Sequence, residues 1–375
     1  MPYTLGSLFD GSGGFPLAGI INGMNPLWAS EIEPYPIRVT QARLPNMTHL
    51  GDVCGVNGAE VPPVDVITFG SPCQDLSIAG SMKGIHDGKR SSLFFEAIRI
   101  VKEMRAHDRA VGRTDLNVRP RFLVWENVVG AFSSNKGEDF RAVLEAIGSI
   151  CQDDVSIPRP ARGKWKRAGC VAGHGWSVAW RVYDAQHWGV PQRRKRIYLV
   201  ADLGGERAGE VLFESESLPG DTSSGGEPGK RLAGFVPGSA GNQSRPSERV
   251  SWQVYDARGN GDGKTACTIT GDHQNRVSDY TALAVGNGQL HQISMTETAR
   301  TLDCMHDQQA ILITKEPPVI RRLTPLECCR LQGFPDNWED GVQGSDTARY
   351  RMWGNGIALP CAADVLARVT KALCI

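Results

Sequence analysis

The chain of 375 residues lacks the features of several common protein classes. No run approaches the ~20 apolar residues of a membrane-spanning helix, and residues 1–7 lack the basic start and long apolar stretch of a signal peptide. The ten cysteines include no C-x-x-C pair, so neither a disulfide scaffold nor a four-cysteine zinc site is expected. The 41 basic and 41 acidic residues give zero net charge, which excludes a uniformly basic coat for nucleic acid. These absences favour a reducing cytoplasm, and the length fits about two domains.

No metal or phosphate site stands out in the sequence either. The phosphate-cradling pattern GxxxxGK[ST] is absent. The eight histidines form no convincing ligand set, since only Cys170 with His174 and Cys304 with His306 have a workable spacing. We therefore expect no metal.

Positive charge is concentrated in one part of the chain. Residues 159–196 contain ten basic residues and a single acid, Asp184. Such a block could follow a phosphate backbone although the chain as a whole is neutral. A solvated basic face is the alternative interpretation.

Short apolar runs alternate with helical patterns over the first 200 residues, which predicts an α/β fold with a mostly parallel sheet. The predicted strands are Thr4–Phe9, Val64–Phe69, Phe122–Trp125 and Ile197–Ala201. From residue 202 the chain is rich in Gly, Ser, Glu and Pro, which indicates a linker or loop. Short β-type runs follow, and a helix is predicted over Pro360–Leu373.

Ligands bind beyond the carboxyl ends of the strands in such sheets, and the first strand ends carry a candidate nucleoside site. Phe9, Gly11 and Gly13 belong to a loop in which glycine lets the backbone approach a ligand closely. Glu31, about twenty residues later, could accept hydrogen bonds from a ribose diol. Asp52 could accept a hydrogen bond from a base amino group. A plain turn is the alternative interpretation of the loop.

Cys73 follows the predicted strand Val64–Phe69 and opens a segment of small residues that also carries Lys83, Lys89 and Arg90. A cysteine at a strand end in a basic segment could be a nucleophile that works beside a polyanion. The alternative is a buried cysteine that only fills space in the core.

Two further strand ends supply polar partners for such a cysteine. Glu126 comes directly after Phe122–Trp125 and could act as a proton donor, with a structural carboxylate as the alternative. Arg194 and Arg196 lie on the same side of an extended segment. Two guanidinium groups on one face suit a carbonyl that gains negative charge.

In this order, the motifs resemble those of the bacterial and phage DNA cytosine-5 methyltransferases. They are Phe9-x-Gly-x-Gly-Gly14, Pro72-Cys-Gln74, Glu126-Asn-Val128, Gln192-Arg-Arg-x-Arg196, Arg322-Leu-Thr-Pro-Leu-Glu-Cys-Cys-Arg-Leu-Gln-Gly-Phe-Pro335 and Gly354-Asn-Gly356. Two positions depart from the family pattern. Ser7 stands where an Asp is common, and Gly356 stands where a Ser or Ala is more usual.

The resemblance implies a doubly wound catalytic domain that binds S-adenosylmethionine, formed by residues 1–201 and 345–375. It implies a second, smaller, loop-rich β domain for target recognition, with a hinge, at 202–344. The implied activity is methyl transfer from S-adenosylmethionine to C5 of a flipped-out cytosine in a specific duplex DNA sequence.

The resemblance also implies a role for individual residues. The Cys73 thiolate would add to cytosine C6, Glu126 would hydrogen-bond N3 and the exocyclic amine, and Arg196, with Arg194, would contact O2 or the adjacent phosphate. The implied cofactor contacts are Phe9, Gly11, Gly13, Glu31, Ile32, Asp52, Pro72 and Asn355. Implied DNA contacts are Lys83, Lys89, Arg90 and the family's Thr-Leu dipeptide, for which Thr301-Leu302 is the best match and Thr268-Ile269 the second candidate.

Double-stranded DNA is the implied partner, in the cytoplasm of a bacterial or phage-infected cell, within a restriction–modification system or a prophage. We expect a monomer that needs neither a membrane nor an obligate protein partner. The alternatives are an RNA-directed relative, a silent binding module and a nucleotide-dependent oxidoreductase. The long variable region favours DNA over RNA as the substrate. A silent binding module is disfavoured because Cys73, Glu126 and Arg196 are all intact. The oxidoreductase is disfavoured because the sequence has no second dinucleotide fingerprint.

Overall fold

The computed structural model describes residues 2–72, 93–160, 163–213 and 319–374, together with four short strands at 253–256, 266–267, 281–284 and 310–313. Part of the expected site lies outside these residues: Cys73, Lys83, Lys89, Arg90, Thr301 and Leu302.

A mixed sheet of eight strands forms the centre of the molecule. The first nine strands of the chain are β1 (Thr4–Leu8), β2 (Asn25–Ser30), β3 (Thr48–His49), β4 (Val66–Phe69), β5 (Phe122–Val128), β6 (Ala168–Gly173), β7 (Trp176–Asp184), β8 (Gln192–Arg193) and β9 (Lys195–Asp202). All of them except β8 belong to this sheet, in the order β3-β2-β1-β4-β5-β9-β7-β6. The first five strands of that order are parallel, β9 is antiparallel to both of its neighbours, and β6 is antiparallel to β7.

Helices cover both faces of this sheet, as a doubly wound fold requires. They are α1 (Gly14–Ile21), α2 (Pro34–Arg43), α3 (Leu93–Ala110), α4 (Glu138–Gly148), α5 (Ala208–Phe213), α6 (Pro325–Leu331), α7 (Asp346–Asn355) and α8 (Leu359–Leu373). Successive side chains of a strand point to opposite faces. In β5, Val124 accordingly joins the core under α1, α5 and α8, whereas Leu123 and Trp125 join the core under α3 and α4. The predicted α/β fold is confirmed.

The strand predicted at Ile197–Ala201 belongs to β9 and runs against β5, unlike the other predicted strands. Its register places Arg196 opposite Val128, and Tyr198 opposite Glu126. Because β9 is antiparallel, its amino end lies at the edge of the sheet where the parallel strands have their carboxyl ends. Arg196 therefore reaches the edge at which ligands bind.

A second sheet follows in the later part of the chain. It contains β10 (Gln253–Asp256), β12 (Thr281–Ala284), β13 (Ala310–Ile313) and β14 (Val319–Arg322), while β11 (Ala266–Cys267) pairs in parallel with β8. After this sheet, Phe334 and Trp338 pack into the core beside α7 and α8. The domain boundaries at 202 and 344 stay a prediction.

The described parts of the chain contain neither a helix for crossing a membrane nor a side-chain cluster for a metal ion. None of the helices there is long and apolar enough to cross a membrane. No group of three or more His, Cys, Asp or Glu side chains in those parts could hold a metal ion.

Candidate active site

The loop between β1 and α1 has an unusual backbone and is open at Gly11. Phe9, Gly11 and Gly13 all have positive φ, at 54°, 55° and 80°, and this conformation is strained for a non-glycine residue such as Phe9. A Cβ added to Gly11 would meet no atom within 4 Å. The indole of Trp338 donates a hydrogen bond of 2.8 Å to the carbonyl of Ser12 and holds the loop from the far end of the chain.

Glu31, directly after β2, is held by backbone N–H groups on both of its oxygens. Oε2 accepts from Gly11 at 2.7 Å, and Oε1 accepts from Ile32 at 2.8 Å and Glu33 at 2.9 Å. The Ile32 side chain is 65% exposed, and Asp52 is exposed and caps the turn at Cys54. A fixed carboxylate beside an exposed aliphatic side chain and a second carboxylate fits the ribose and adenine of an adenosyl group.

Both departures from the family pattern have a neighbour that complements them. Ser7 is buried and donates a hydrogen bond of 2.7 Å to Asp10, so a carboxyl group is present in this pocket three residues later. A Cβ on Gly356 would lie 2.9 Å from Ser12 Oγ, so the serine occupies the space that a larger residue would need. The two departures are therefore matched within the loop itself.

Asp10 is the unusual titrating group of this loop. Burial raises its pKa to about 7, the hydrogen bond from Ser7 acts in the opposite direction, and the charge of Glu31 adds to the rise. Asp10 can thus retain its proton up to near neutral pH.

Glu126 and Arg196 form a buried ion pair where β5 and β9 meet. Glu126 Oε1 lies 3.1 Å from Arg196 Nε, and their side chains are 9% and 11% exposed. This oxygen accepts no aligned hydrogen bond from the residues that the structure describes. Gly70 lies close to the other oxygen, since a Cβ there would be 3.5 Å from Oε2. Arg196 therefore balances the charge of the Glu126 carboxylate, and Oε1 can still take part in a hydrogen bond.

Side chains of β5 anchor the segment that leads into Cys73. Asn127 donates from Nδ2 to the Ser71 carbonyl at 2.9 Å, and the indole of Trp125 donates to Ser71 Oγ at 3.1 Å. Two side chains of β5 therefore hold Ser71, which directly precedes Pro72.

Arg194 contacts a different part of the site from Arg196. It lies between β8 and β9 rather than within one extended strand, is 3% exposed, and donates to the carbonyl of Gly356. Burial, and then the nearby charge of Arg196, lower its pKa to about 9. The turn that it supports follows Asn355, which is exposed.

The sequence interpretation assigned no role to three residues that build this site. Gln332 donates to the Trp353 carbonyl at 2.7 Å, within the turn region that Arg194 supports. Glu339 accepts from the Tyr35 hydroxyl at 2.7 Å and from the Trp353 indole at 3.0 Å, and Trp338 holds the glycine loop. Gln332 lies within the Arg322–Pro335 motif. Trp338 and Glu339 contact residues about 300 positions earlier in the chain, so no local sequence pattern indicates their role.

Comparison with known proteins agrees with this arrangement. Residues 3–150 and 171–371 match the family described as C-5 cytosine-specific DNA methylase. The chain belongs to this family, and the family defines it as a DNA cytosine methyltransferase that uses S-adenosylmethionine. Residues 151–170 are left out of the match.

Three similar proteins illustrate the range of the relationship. A type II methyltransferase, M.NlaX of Neisseria lactamica, is 26% identical over 98% of this chain and 96% of its own length. The DNA N-6-adenine-methyltransferase of Escherichia phage P1 is 27% identical over 94% of this chain, which spans 59% of that protein. The solved structure of a putative DNA modification methyltransferase encoded within an E. coli prophage is 18% identical, covers 100% of both chains, and has a TM-score of 0.56. It shows the fold.

Proposed function

We propose that this chain methylates C5 of a cytosine flipped out of a specific duplex DNA sequence, through a bond between Cys73 and cytosine C6. The observation that carries the proposal is the Glu126–Arg196 pair. It lies beside the anchored Ser71, two residues before Cys73. A carboxyl group, a cation and a thiol would thus act on one base.

Cys73 supplies the nucleophile. Cytosine C5 is a poor nucleophile in the aromatic ring, and addition of a thiolate to C6 turns the ring into an enamine with electron density at C5. C5 would then take the methyl group as the bond between that methyl and the sulfonium sulfur of S-adenosylmethionine breaks, with S-adenosylhomocysteine as the leaving group. Loss of the C5 proton and departure of the thiolate restore the aromatic ring, so that no bond to the protein remains.

Glu126 is proposed to bind the Watson–Crick edge of the base at N3 and the exocyclic amine. Its Oε1 has no aligned hydrogen bond among the described residues, so a base that enters the site meets an acceptor or donor that is already desolvated. A proton shared with N3 neutralises the charge that develops there when the thiolate adds. General acid catalysis of this kind typically contributes ~10²–10⁴ in rate.

The two arginines are proposed to have different roles. Arg196 pairs with Glu126 and lies where it could also contact cytosine O2 or the adjacent phosphate. Arg194 donates to the Gly356 carbonyl and is proposed as a positioning residue for the end of α7. Asn355, the last residue of α7, is proposed to contact the cofactor.

The proposed cofactor residues combine the glycine loop with the first strand ends. S-adenosylmethionine supplies an electrophilic methyl group on a sulfonium. The Gly11 loop leaves room for the ligand, Glu31 is oriented for a ribose diol, and Ile32 offers an exposed aliphatic surface for adenine. The complete proposed set is Phe9, Gly11, Gly13, Glu31, Ile32, Asp52, Pro72 and Asn355.

Duplex DNA is the proposed partner, bound by a monomer in the cytoplasm of a bacterial or phage-infected cell. Flipping a base out of a duplex costs a few kcal/mol, which contacts from the protein must replace. Lys83, Lys89, Arg90 and the Thr301-Leu302 dipeptide stay predicted DNA contacts.

Substitution of the proposed nucleophile tests the function. Cys73→Ala should abolish methyl transfer to C5 and leave duplex binding largely intact, because the thiol is needed only for bond formation. DNA with 5-fluorocytosine at the target should form a stable adduct with the wild-type chain, since fluorine blocks the last elimination. Mass spectrometry should map this adduct to Cys73, and Cys374→Ala, which removes an exposed cysteine, is the matched control.

The phage P1 relative makes adenine N6 methylation the second candidate function. An exocyclic amine can attack a methyl sulfonium without a thiolate, so the same variant separates the two candidates. Methylation of adenine that survives in Cys73→Ala would overturn the cytosine mechanism, as would an adduct on another cysteine.

A further inference from the structure

We propose that four cations at one edge of the central sheet bind the DNA phosphate backbone that flanks the flipped cytosine. This edge cluster consists of Lys136, Lys164, Lys166 and Arg167. The inference rests on the proposed function, and it assigns part of the duplex to a surface on the catalytic sheet.

Strand directions place the edge cluster on the same edge of the sheet as Glu126. Because β6 runs against β7, its amino end lies beside the carboxyl end of β7, and the Arg167 carbonyl accepts from the Val182 amide at 2.8 Å. The next residue of β7, Tyr183, pairs with Arg196. Arg167 is thus three strand spacings from Glu126, about 14 Å at ~4.8 Å per strand.

An aromatic anchor fixes the segment that carries the cations. The indole of Trp165 donates to the Gly137 carbonyl at 2.8 Å and packs edge-on against Phe140 and Trp180 at 5.2 and 5.8 Å. Trp180 in turn donates to the Lys166 carbonyl at 3.0 Å. The backbone between Lys164 and Arg167 is thereby fixed to the hydrophobic core.

The second loop of the edge cluster is tied to the same region. Arg159 forms an ion pair of 2.6 Å with Glu138 and donates to the Lys136 carbonyl at 2.9 Å. Glu138 also pairs with Arg141 at 3.3 Å. The nearby carboxylate is therefore already shared by two arginines, neither of which belongs to the edge cluster.

The charges of the edge cluster are exposed and not neutralised within the described parts of the chain. All four side chains are exposed, and none has an ion pair there, whereas Lys195 at the same edge has Asp184 at 3.9 Å. Exposed lysines alone would indicate a solvated face. Exposed cations on an anchored backbone, without an ion pair among the described residues and at the edge that receives the substrate, instead suit contact with a phosphate backbone.

The family match adds an independent observation. It covers residues 3–150 and 171–371 and leaves out 151–170, which contain three of the four cations and their Trp165 anchor. The family fold is therefore complete without this segment. Its charge and its anchoring are features of this chain that the shared chemistry does not require.

Charge reversal with a matched control tests the inference. The variant Lys164→Glu with Lys166→Glu is compared with Lys102→Glu and Arg109→Glu, which reverse two exposed cations of α3. At ~0.1 M salt, the edge variant should bind a target duplex roughly tenfold or more weakly than wild type, and its log–log salt slope should fall by about 2. The control should stay within about twofold. Both variants should bind S-adenosylmethionine like wild type, which confirms folding.

Duplex length locates the contact. About 14 Å corresponds to roughly four base pairs at ~3.4 Å each. Ending the duplex nearer to the target than this distance on one side should therefore weaken binding by the wild type and not by the edge variant. Equal effects of the edge and control reversals on affinity and slope would overturn the inference. If the two reversals have equal effects but the wild type still forms a covalent adduct with 5-fluorocytosine DNA, the inference fails and the proposed function stands. A wild type that forms no such adduct contradicts the proposed function itself.

Discussion

Two glutamates at the carboxyl edge of one sheet are held in opposite ways. Both oxygens of Glu31 accept backbone N–H groups, at 2.7 to 2.9 Å. Glu126 has Arg196 at 3.1 Å and, on Oε1, no aligned hydrogen bond from the described residues. Among the described residues, backbone N–H groups satisfy the hydrogen bonding of Glu31 and no cation pairs with it. In the same part of the chain, Arg196 balances the charge of Glu126 and leaves Oε1 without an aligned hydrogen bond.

The difference follows from the neighbours of each strand. β2 lies between the parallel strands β1 and β3, so the loops that start at this edge offer their backbone N–H groups to Glu31. β5 lies beside the antiparallel β9, whose amino end brings a side chain to the same edge. A carboxylate oriented by backbone groups suits a ligand bound in a fixed pose, and a carboxylate with unused capacity suits a reacting base.

Glu126→Gln should give the largest effect on this comparison. The amide keeps the volume and can hydrogen-bond the base, but it cannot share a proton with N3. We expect kcat to fall by ~10²–10⁴, with the dissociation constant for S-adenosylmethionine unchanged. Single-turnover kinetics with saturating DNA and equilibrium dialysis with the cofactor measure the two quantities. A loss confined to cofactor binding would place Glu126 outside the chemistry.

Glu31→Gln should show the reverse pattern. An amide replaces one charged acceptor, and hydrogen bonds to charged groups contribute about 1.5–3 kcal/mol, so we expect the dissociation constant for the cofactor to rise roughly tenfold or more. The methylation rate at saturating cofactor should change little. Glu33→Gln is the control, since Glu33 forms a partly exposed ion pair with Arg351 at 3.4 Å. Equal cofactor affinity of the Glu31 variant and wild type would remove Glu31 from the site.

Local patterns were sufficient to predict half of the strands of the central sheet and two of its strand-end carboxylates. Short apolar runs between helical patterns predicted strands that overlap β1, β4, β5 and β9, and the rule that ligands bind at strand ends directed attention to Glu31 and Glu126. These features depend on residues that are close in sequence. The placement of Asn127 against Ser71 follows from the same adjacent strands.

Features set by distant contacts were not predictable in this way. The antiparallel direction of β9 is a property of chain connectivity, and a single apolar run carries no information about it. Arg194 was expected to share a face with Arg196, yet a break between β8 and β9 directs its guanidinium to the Gly356 carbonyl. Trp338 reaches Ser12 across the fold, a contact that packing alone defines.

Asp10 sharpens the comparison between the two glutamates, because its buried carboxyl group feels the charge of Glu31. Its pKa of about 7 lies above its ordinary value of 3.8, so the folded state holds this proton more tightly than the unfolded state does. The stability that Asp10 contributes is therefore complete below pH 3.8 and is lost as the pH rises to about 7. Asp10→Asn, which is neutral at every pH, should match wild type near pH 4 and exceed it at pH 8, where we expect a melting temperature a few degrees higher.

The test is the difference in melting temperature between variant and wild type at pH 5, 6, 7 and 8. Because a buried ionised carboxylate is what destabilises the wild type, this difference should grow with pH and level off above about 7. Asp153→Asn removes an exposed carboxylate as the control, and its difference should not follow that course. A constant difference for Asp10→Asn would show that Asp10 is ionised throughout, and that the loop tolerates two adjacent negative charges beside the cofactor site.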